Sequence, residues 1–356
     1  DVTTYVPMDD GSQCLDLKAM IAKTQDCLNR NVENIAEAAF SYDGCYCAVD
    51  ILHKTENGYA IYEVKSSTDL SHLEVYAQDV AYQKYVLTNC GINVTGTYLV
   101  NINNEYVLDG ELNVKEFFNI SDISEAVADE YLKVPTRIAQ AKQMLEGGEP
   151  ERDFGEYCHK PYGCTFWEYC SRDIIPHPSV FDLYRMSFKK ALEHMNEGRL
   201  TLENMREEKL TDTQQLQLEC TLGDKTYINK DGIKEFLTQL SYPLYFLDFE
   251  TEQTVIPKYQ GTHPYQQVTF QYSLHYIEQE GGELKHTEFL GDGVTDPRRA
   301  LAEQLCHDIP MNVCTTAYNK AFECTRLKEL AEAYPDLAPH LIYIKEHIVD
   351  LLDPFR

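Results

Sequence analysis

Apolar and polar positions alternate most sharply between residues 48 and 65, and the pattern there is that of two short strands. Ala48-Val-Asp-Ile-Leu52 and Tyr59-Ala-Ile-Tyr-Glu-Val-Lys65 are β-rich runs. The polar stretch from Lys54 to Gly58 between them closes on Asn57-Gly58, a strong hairpin signal. The apolar segment around Glu37 reads as an earlier strand. Helical spacing predicts helices over 14–29, 73–88 and 122–146, the last closed by Gly147-Gly148. From Ser179 to Thr238 the chain turns helical and polar, with breaks at Gly198, Gly223 and Gly232. At Tyr242 the pattern changes again. A buried-looking strand from Pro243 to Thr251 leads to strands over 267–276 and 284–290, a helix over 296–306, a strand over 312–318 and a helix to Ala333. The chain therefore reads as α/β, with one domain over 1–175, a helical connector over 176–240 and a second domain over 241–356. It contains no internal repeat and no low-complexity tract.

Composition supports a folded protein with more than one core. The chain has 356 residues, 43% of them hydrophobic and 11% aromatic, including 25 Tyr. No apolar run approaches membrane-spanning length and the opening residues do not read as a signal peptide, so no membrane partner is expected. Twelve scattered cysteines without paired spacing fit a reducing compartment, and a cytoplasmic location is expected. The net charge of −27 works against tight nonspecific binding of nucleic acid. A polyanion would need a local basic groove, for which Arg185, Lys189, Lys190 and Arg199 are candidates.

The hairpin carries the first candidate chemistry. Residues i and i+2 of a strand share a face, so Glu63 and Lys65 project together, and pairing brings Asp50 beside them. Two carboxylates and an ammonium on one face are costly to assemble unless a divalent cation occupies the gap. Asp50 and Glu63 would hold Mg²⁺ or Mn²⁺, while Lys65 would position the attacking water and stabilise the phosphate being cleaved. The alternative is a solvated hairpin with ordinary surface charges. On the following helix Gln78, Asp79, Tyr82 and Gln83 fall on one stripe. These residues resemble the PD-(D/E)XK nucleases of the RecB-like branch over roughly residues 30 to 175. That resemblance implies a restriction-endonuclease-like fold, with Asp50, Glu63 and Lys65 in the active site and a helix residue, Gln83 or else Gln78 or Asp79, beside them. It also implies an acidic residue or His on an upstream helix. No residue takes that place, and Glu37 is the nearest carboxylate.

A cysteine run follows. Cys158, Cys164 and Cys170 form a C-x5-C-x5-C cluster with aromatic residues between the thiols. Three soft ligands this close suit a metal or cluster better than a disulfide. Iron–sulfur members of the RecB-like branch carry three cysteines just after the nuclease core and a fourth far upstream, so the resemblance implies a [4Fe-4S] cluster. That fourth does not appear: Cys14 and Cys27 are the early cysteines, and the missing ligand is expected outside this chain. Zinc held by Cys158, His159, Cys164 and Cys170 is the competing reading, and three structural thiols the remaining one.

The second half presents another acidic pattern. Asp248 and Glu250 lie at i and i+2 near the end of a strand and face one side, which again points to a metal. The order β-β-β-α-β-α is that of a ribonuclease-H-like fold. Asp248-Phe-Glu-Thr251 followed by Asn319-Lys-Ala-Phe-Glu323 resembles the DEDD exonucleases related to the DnaQ proofreading subunit, which implies metal ligation by Asp248, Glu250 and Glu323. Glu323 stands where that family usually has Asp. The fourth acid is expected on a helix downstream, with Asp350 on the strand or turn before it. The opening on Asp1 without an initiator methionine, and the close on Asp350-Leu-Leu-Asp-Pro-Phe-Arg356, lead us to expect further residues on both sides.

Taken together, the order resembles an uncharacterised bacterial family joining a RecB-like nuclease, a cysteine cluster, a helical connector and a DEDD exonuclease. Glu37-Ala-Ala-Phe40, Glu63-Val-Lys-Ser-Ser67, Asp248-Phe-Glu-Thr251, Pro264-Tyr-Gln-Gln267 and Ile348-Val-Asp-Leu-Leu-Asp-Pro-Phe355 carry the likeness. The expectation is a metal-dependent nuclease acting on DNA or RNA, DNA being favoured, in repair, recombination or defence. The rival is a nonenzymatic nucleic-acid-binding protein or scaffold built on degenerate nuclease folds.

Overall fold

A computed structural model describes residues 1–8 and 10–355. It is mixed α/β, and the chain divides into two compact units, residues 1–135 with 231–356, and residues 136–230. Among the described residues no helix is long and apolar enough to cross a membrane.

The larger unit opens with a small antiparallel pair, β1 (Tyr5–Pro7) and β2 (Gln13–Leu15), followed by α1 (Leu17–Asn29). Asp16 starts that helix by accepting the Ala19 N–H at 2.9 Å, which satisfies one of the donors left free in the first turn. Next come β3 (Asn34–Tyr42), β4 (Cys45–Thr55) and β5 (Gly58–Lys65), an antiparallel meander whose last turn is the predicted hairpin. Helix α2 (Leu73–Asn89) packs back across the meander. It delivers the chain to β6 (Val94–Ile102), which runs parallel to β5. After α3 (Val114–Phe117), β7 (Phe118–Asp122) completes a sheet ordered β3-β4-β5-β6-β7.

The helix predicted over 122–146 is two helices, α4 (Ser124–Tyr131) and α5 (Val134–Glu146). Pro135 explains the break: it lacks an N–H and is tolerated only in a first helical turn, so a new helix starts there.

The smaller unit, residues 136–230, holds most of α5, α6 (Trp167–Ser171), α7 (Phe188–Asn196) and α8 (Asp212–Leu222). The Thr211 and Gln214 side chains close a reciprocal capping box at the start of α8. Val180, Leu183, Ala191, Leu202, Met205 and Leu218 form its core. The cysteine run lies in this unit with the helical segment, whereas the sequence reading grouped it with the first domain.

Helix α9 (Lys230–Leu237) leads into the second sheet. Strands β8 (Leu244–Gln253), β9 (Gln267–Ile277) and β10 (Leu284–Leu290) form a second antiparallel meander. Helix α10 (Arg298–Asp308) crosses to β11 (Cys314–Ala317), parallel to β8, and α11 (Ala321–Ala333) and α12 (Ala338–His347) cross to the short β12 (Val349–Asp350), parallel to β11. The order is β10-β9-β8-β11-β12. Tyr272, Leu274, Leu301, Leu305, Leu327 and Leu341 are fully or almost fully buried in its core.

Within the larger unit the two sheets are tied by the β8–β9 connection, residues 254–266. Leu108 donates its N–H to the Thr262 carbonyl at 2.9 Å and accepts from Gly261 at 2.8 Å. Beneath these bonds Ile102, Tyr106, Leu108 and Phe117 form an apolar cluster against which Val255 and Tyr265 pack.

Candidate functional site

The first constellation sits where the β3–β4–β5 meander meets α2. Ile61, Glu63 and Lys65 share the covered face of β5, with Ile61 and Glu63 buried, while Val64 points to the exposed face. Lys65 Nζ donates to Glu63 Oε1 at 2.6 Å, and Gln83 Nε2 on α2 donates to Glu63 Oε2 at 2.7 Å. Asp79, one helical turn earlier, lies 3.4 Å from Lys65 Nζ, and the Tyr76 ring lies beneath the same ammonium at 5.4 Å. Asp50 Oδ2 accepts the Val64 N–H at 2.6 Å, which places its carboxylate at the head of the β4–β5 ladder. The structure thus brings Asp50, Glu63, Lys65 and Gln83 together. Tyr82 instead accepts from Tyr46 N–H and donates to Tyr46 C=O, a fastening of α2 to β4.

Glu37 joins this site by a route the sequence did not disclose. Its φ is +59°, a left-handed conformation that is uncommon for a residue with a Cβ. The β3–β4 ladder pairs Ala36 with Ile51 and Ala38 with Val49 but skips Glu37 and Asp50. Burial first, then the charges of Asp50 and Glu63, push the Glu37 carboxyl above its ordinary range. Burial likewise raises Glu63, while its bonds from Lys65 and Gln83 pull it back. Burial works against the Lys65 charge, yet Glu63 and Asp79 hold the ammonium above the usual lysine range. Gln83 Oε1 is buried and has no partner among the described residues.

The second constellation lies at the adjoining ends of β8, β11 and β12. Asp248 and Glu250 are exposed on one face of β8, with the buried Phe249 between them on the other. Glu323, in the first turn of α11, is buried, and its Oε2 lacks a partner among the described residues. Burial and the charges of Asp248 and Asp350 raise its carboxyl. Asp350 Oδ1 accepts the N–H groups of Asn319 at 2.8 Å and Leu352 at 3.0 Å, tying β12 to the turn before α11. Asp350 therefore stands on a strand, as the sequence indicated, and its charge acts on Glu323.

These residues suit Mg²⁺ or Mn²⁺. Every donor is a hard oxygen, and at the first site the Glu37, Asp50 and Glu63 carboxylates act on one another while Glu63 and Asp79 hold Lys65. No group of three or more His, Cys, Asp or Glu side chains is drawn to ligand distance among the described residues. Mg²⁺ does not require such a group, because it is commonly held by one or two carboxylates with water and substrate phosphates filling the rest. Of the cysteine run, Cys158 and Cys164 line a pocket of about 590 Å³ with His159, Trp167 and Phe188, and Cys170 stands on α6. A pocket of about 630 Å³ between Lys84 and Leu132 is lined by none of the acidic-site residues.

Two of the four cations of the predicted basic groove are paired with carboxylates. Lys189 pairs with Glu156 at 3.6 Å, and Arg199 pairs with Glu208 at 3.1 Å and with Glu197. Arg185 lies over the Tyr184 ring.

Residues 245–356 match a family described as a domain of unknown function (DUF2779). The matched segment spans the second sheet and its helices, from Tyr245 on β8 through β12. No curated protein matches the chain.

Proposed function

We propose that the chain is a metal-dependent nuclease with two sites, a PD-(D/E)XK site of RecB-like type on the first sheet and a DEDD-type exonuclease site on a ribonuclease-H-like second sheet. The observation that carries the reading is the Glu63 carboxylate held between Lys65 and Gln83 with Asp50 beside it. A three-stranded meander, a crossing helix and a parallel fourth strand support the first assignment, and the order β10-β9-β8-β11-β12 the second.

When bound at Asp50 and Glu63, a divalent ion supplies Lewis acidity and partly neutralises the scissile phosphate. Gln83 and Lys65 fix both Glu63 oxygens, which orients the carboxylate before substrate arrives. Asp79 and Glu63 keep Lys65 protonated, so its ammonium can orient the attacking water and offset charge developing on the phosphate. At the second site Asp248 and Glu250 offer exposed oxygens and Glu323 a buried one without a partner. DNA is the favoured substrate over RNA, and the cellular setting is repair, recombination or defence.

The test is cleavage of labelled single- and double-stranded DNA and RNA with Mg²⁺ or Mn²⁺. Lys65→Ala should lower turnover by about 10²- to 10⁴-fold while metal binding persists. Asp50→Ala should weaken metal binding itself. In a Lys65→Ala background, residual 3′-to-5′ trimming should vanish with Asp248→Ala. Wild-type cleavage by all three variants on every substrate would remove the assignment. Binding without cleavage in the unaltered protein would favour the scaffold reading.

A further inference from the structure

The segment Pro264-Tyr-Gln-Gln267, conspicuous in the sequence, plays no part in either acidic site, yet it follows the strand of one closely along the chain and touches the strand end of the other through space. Tyr265 follows β8, the strand of Asp248 and Glu250, by one connection, and its hydroxyl donates to the carbonyl of Ser66, the residue after Lys65. Between them is a pocket of about 440 Å³, walled on one side by Ser66, Ser67 and Thr68 and on the other by Asn104, His263 and Tyr265. Among the described residues no Asp, Glu, Lys or Arg lines it. In a chain with 58 acidic and 31 basic residues, this is a place where a phosphodiester meets hydroxyl and amide donors without a repelling carboxylate in the wall, while His263, whose Nδ1 donates to the Pro264 carbonyl at 3.0 Å, offers Nε2 as an acceptor to a base.

Tyr265 is held in advance of any ligand. It has a φ of +59°, its N–H donates to Thr254 at 2.9 Å, and its carbonyl accepts from Gln253 Nε2 at 2.7 Å. With the hydroxyl also bonded to Ser66 and the residue packed against the apolar cluster, Tyr265 lines the pocket with an aromatic ring beside polar donors. Aromatic faces of this kind stack unpaired bases regardless of sequence.

We propose that this pocket is a nucleotide-binding subsite, holding one unpaired nucleotide of a single-stranded DNA or RNA as the strand approaches Lys65. The inference rests on the nuclease reading and adds to it where the strand is gripped. Recognition there is by neutral donors and stacking, so it contributes little to the salt dependence that Lys or Arg contacts impose, about 0.7 in log–log slope per neutralised phosphate of a single strand.

The experiment uses the full chain at pH 8 and a fluorescent single-stranded oligonucleotide, with anisotropy read in chelator and cleavage read in Mg²⁺. Thr68→Ala probes one wall, and Asn104→Ala and His263→Ala probe the other. Each should weaken binding by about 3- to 10-fold, the size of one lost hydrogen bond. The salt slope should stay fixed, and KM should rise while kcat is retained. If the unaltered chain cleaves through Lys65 but these variants bind and cleave normally, the subsite is refuted and the nuclease reading stands. Loss confined to kcat also refutes it. If the unaltered chain neither binds nor cleaves any oligonucleotide, both fail together.

Discussion

Replacing Gln83 by leucine separates the chemistry of the first site from its packing. Gln83 is 7% exposed, and its two polar atoms have opposite standing: Nε2 donates to Glu63 at 2.7 Å, whereas Oε1 has no partner among the described residues. Losing a hydrogen bond to a charged acceptor costs about 1.5–3 kcal/mol, while an unsatisfied buried acceptor costs about 1–3 kcal/mol and departs with the amide. Leucine nearly matches glutamine in volume, so little cavity is left. The two terms oppose, and Gln83→Leu should change stability by no more than ~1 kcal/mol at neutral pH. The pH dependence has a definite sign. Burial already holds the Glu63 carboxyl above its ordinary value of 4.5, and the Gln83 bond is one of the contacts restraining it, so the substitution moves it further up. A group raised in the folded state contributes its stability fully below the unfolded value and loses it as pH rises through the folded one. Any deficit of Gln83→Leu should therefore be absent below pH 4.5 and grow above it. Urea unfolding in chelator at several pH values reads this, alongside cleavage rates that should fall at least ~10-fold because the Glu63 carboxylate is no longer oriented. A variant that loses stability without losing rate per folded molecule would refute the reasoning, since Gln83 would then serve packing alone.

Other consequences are accessible by the same means. Glu323→Gln removes a buried carboxylate that burial, Asp248 and Asp350 all push upward, so in chelator it should stabilise the fold by about 1 kcal/mol at pH 8 and give no gain below pH 4.5. A lower unfolding midpoint at pH 8 would contradict this. Asp308 accepts from Tyr272 at 2.7 Å, Gln304 at 2.9 Å, His307 at 3.0 Å and Thr287 at 3.2 Å. Burial raises its carboxyl, but these bonds outweigh burial and leave it below 3.8. Its contribution is thus present above that pH and lost as pH falls through the folded value. Asp308→Ala should cost about 1–3 kcal/mol at pH 7 by stranding the buried Tyr272 hydroxyl, and a neutral result in urea unfolding would exclude that role. Protein purified without oxygen and analysed for metals decides the cysteine run: stoichiometric iron supports a cluster completed by a fourth ligand, zinc the His159 alternative, and neither metal leaves three plain thiols.

What the sequence disclosed follows from how local each signal is. Glu63 and Lys65 share a face because a strand has a period of two, and Asn57-Gly58 fixes the turn that brings Asp50 across, so three site residues could be placed from adjacent positions. Gln83 was reachable by helical spacing, but choosing it over Gln78 and Asp79 required knowing which side of α2 meets Glu63. Glu37 was beyond reach, since nothing in Ala-Glu-Ala announces a left-handed residue or a skipped rung between two paired alanines. Pro135 did carry its own signal and divides the helix that the apolar spacing had run together. The contact between residues 108 and 262 is a tertiary one between loops, with no periodicity to betray it.

That contact also bears on the objection raised by charge. On the nuclease reading, a chain with a net charge of −27 does not gather its substrate through a broad positive field, and of the candidate cations Lys189 and Arg199 are paired with carboxylates. The larger unit offers a different arrangement. The β8–β9 connection is fastened to the segment after β6 by backbone bonds and by Gln260, whose amide accepts from Gly110 N–H at 2.6 Å and donates to its carbonyl at 2.9 Å. Those bonds hold Tyr265 against Ser66 and so place neutral donors beside Lys65 without recruiting any surface cation. Grip is then short-ranged, which trades encounter rate for insensitivity to salt. Gln260→Ala tests that logic from outside both acidic sites. It should loosen the connection and raise KM for single-stranded substrate, with the rate at saturation and the salt slope preserved. A steeper salt slope in the unaltered protein than neutral contacts allow would instead place the grip on cations elsewhere in the chain.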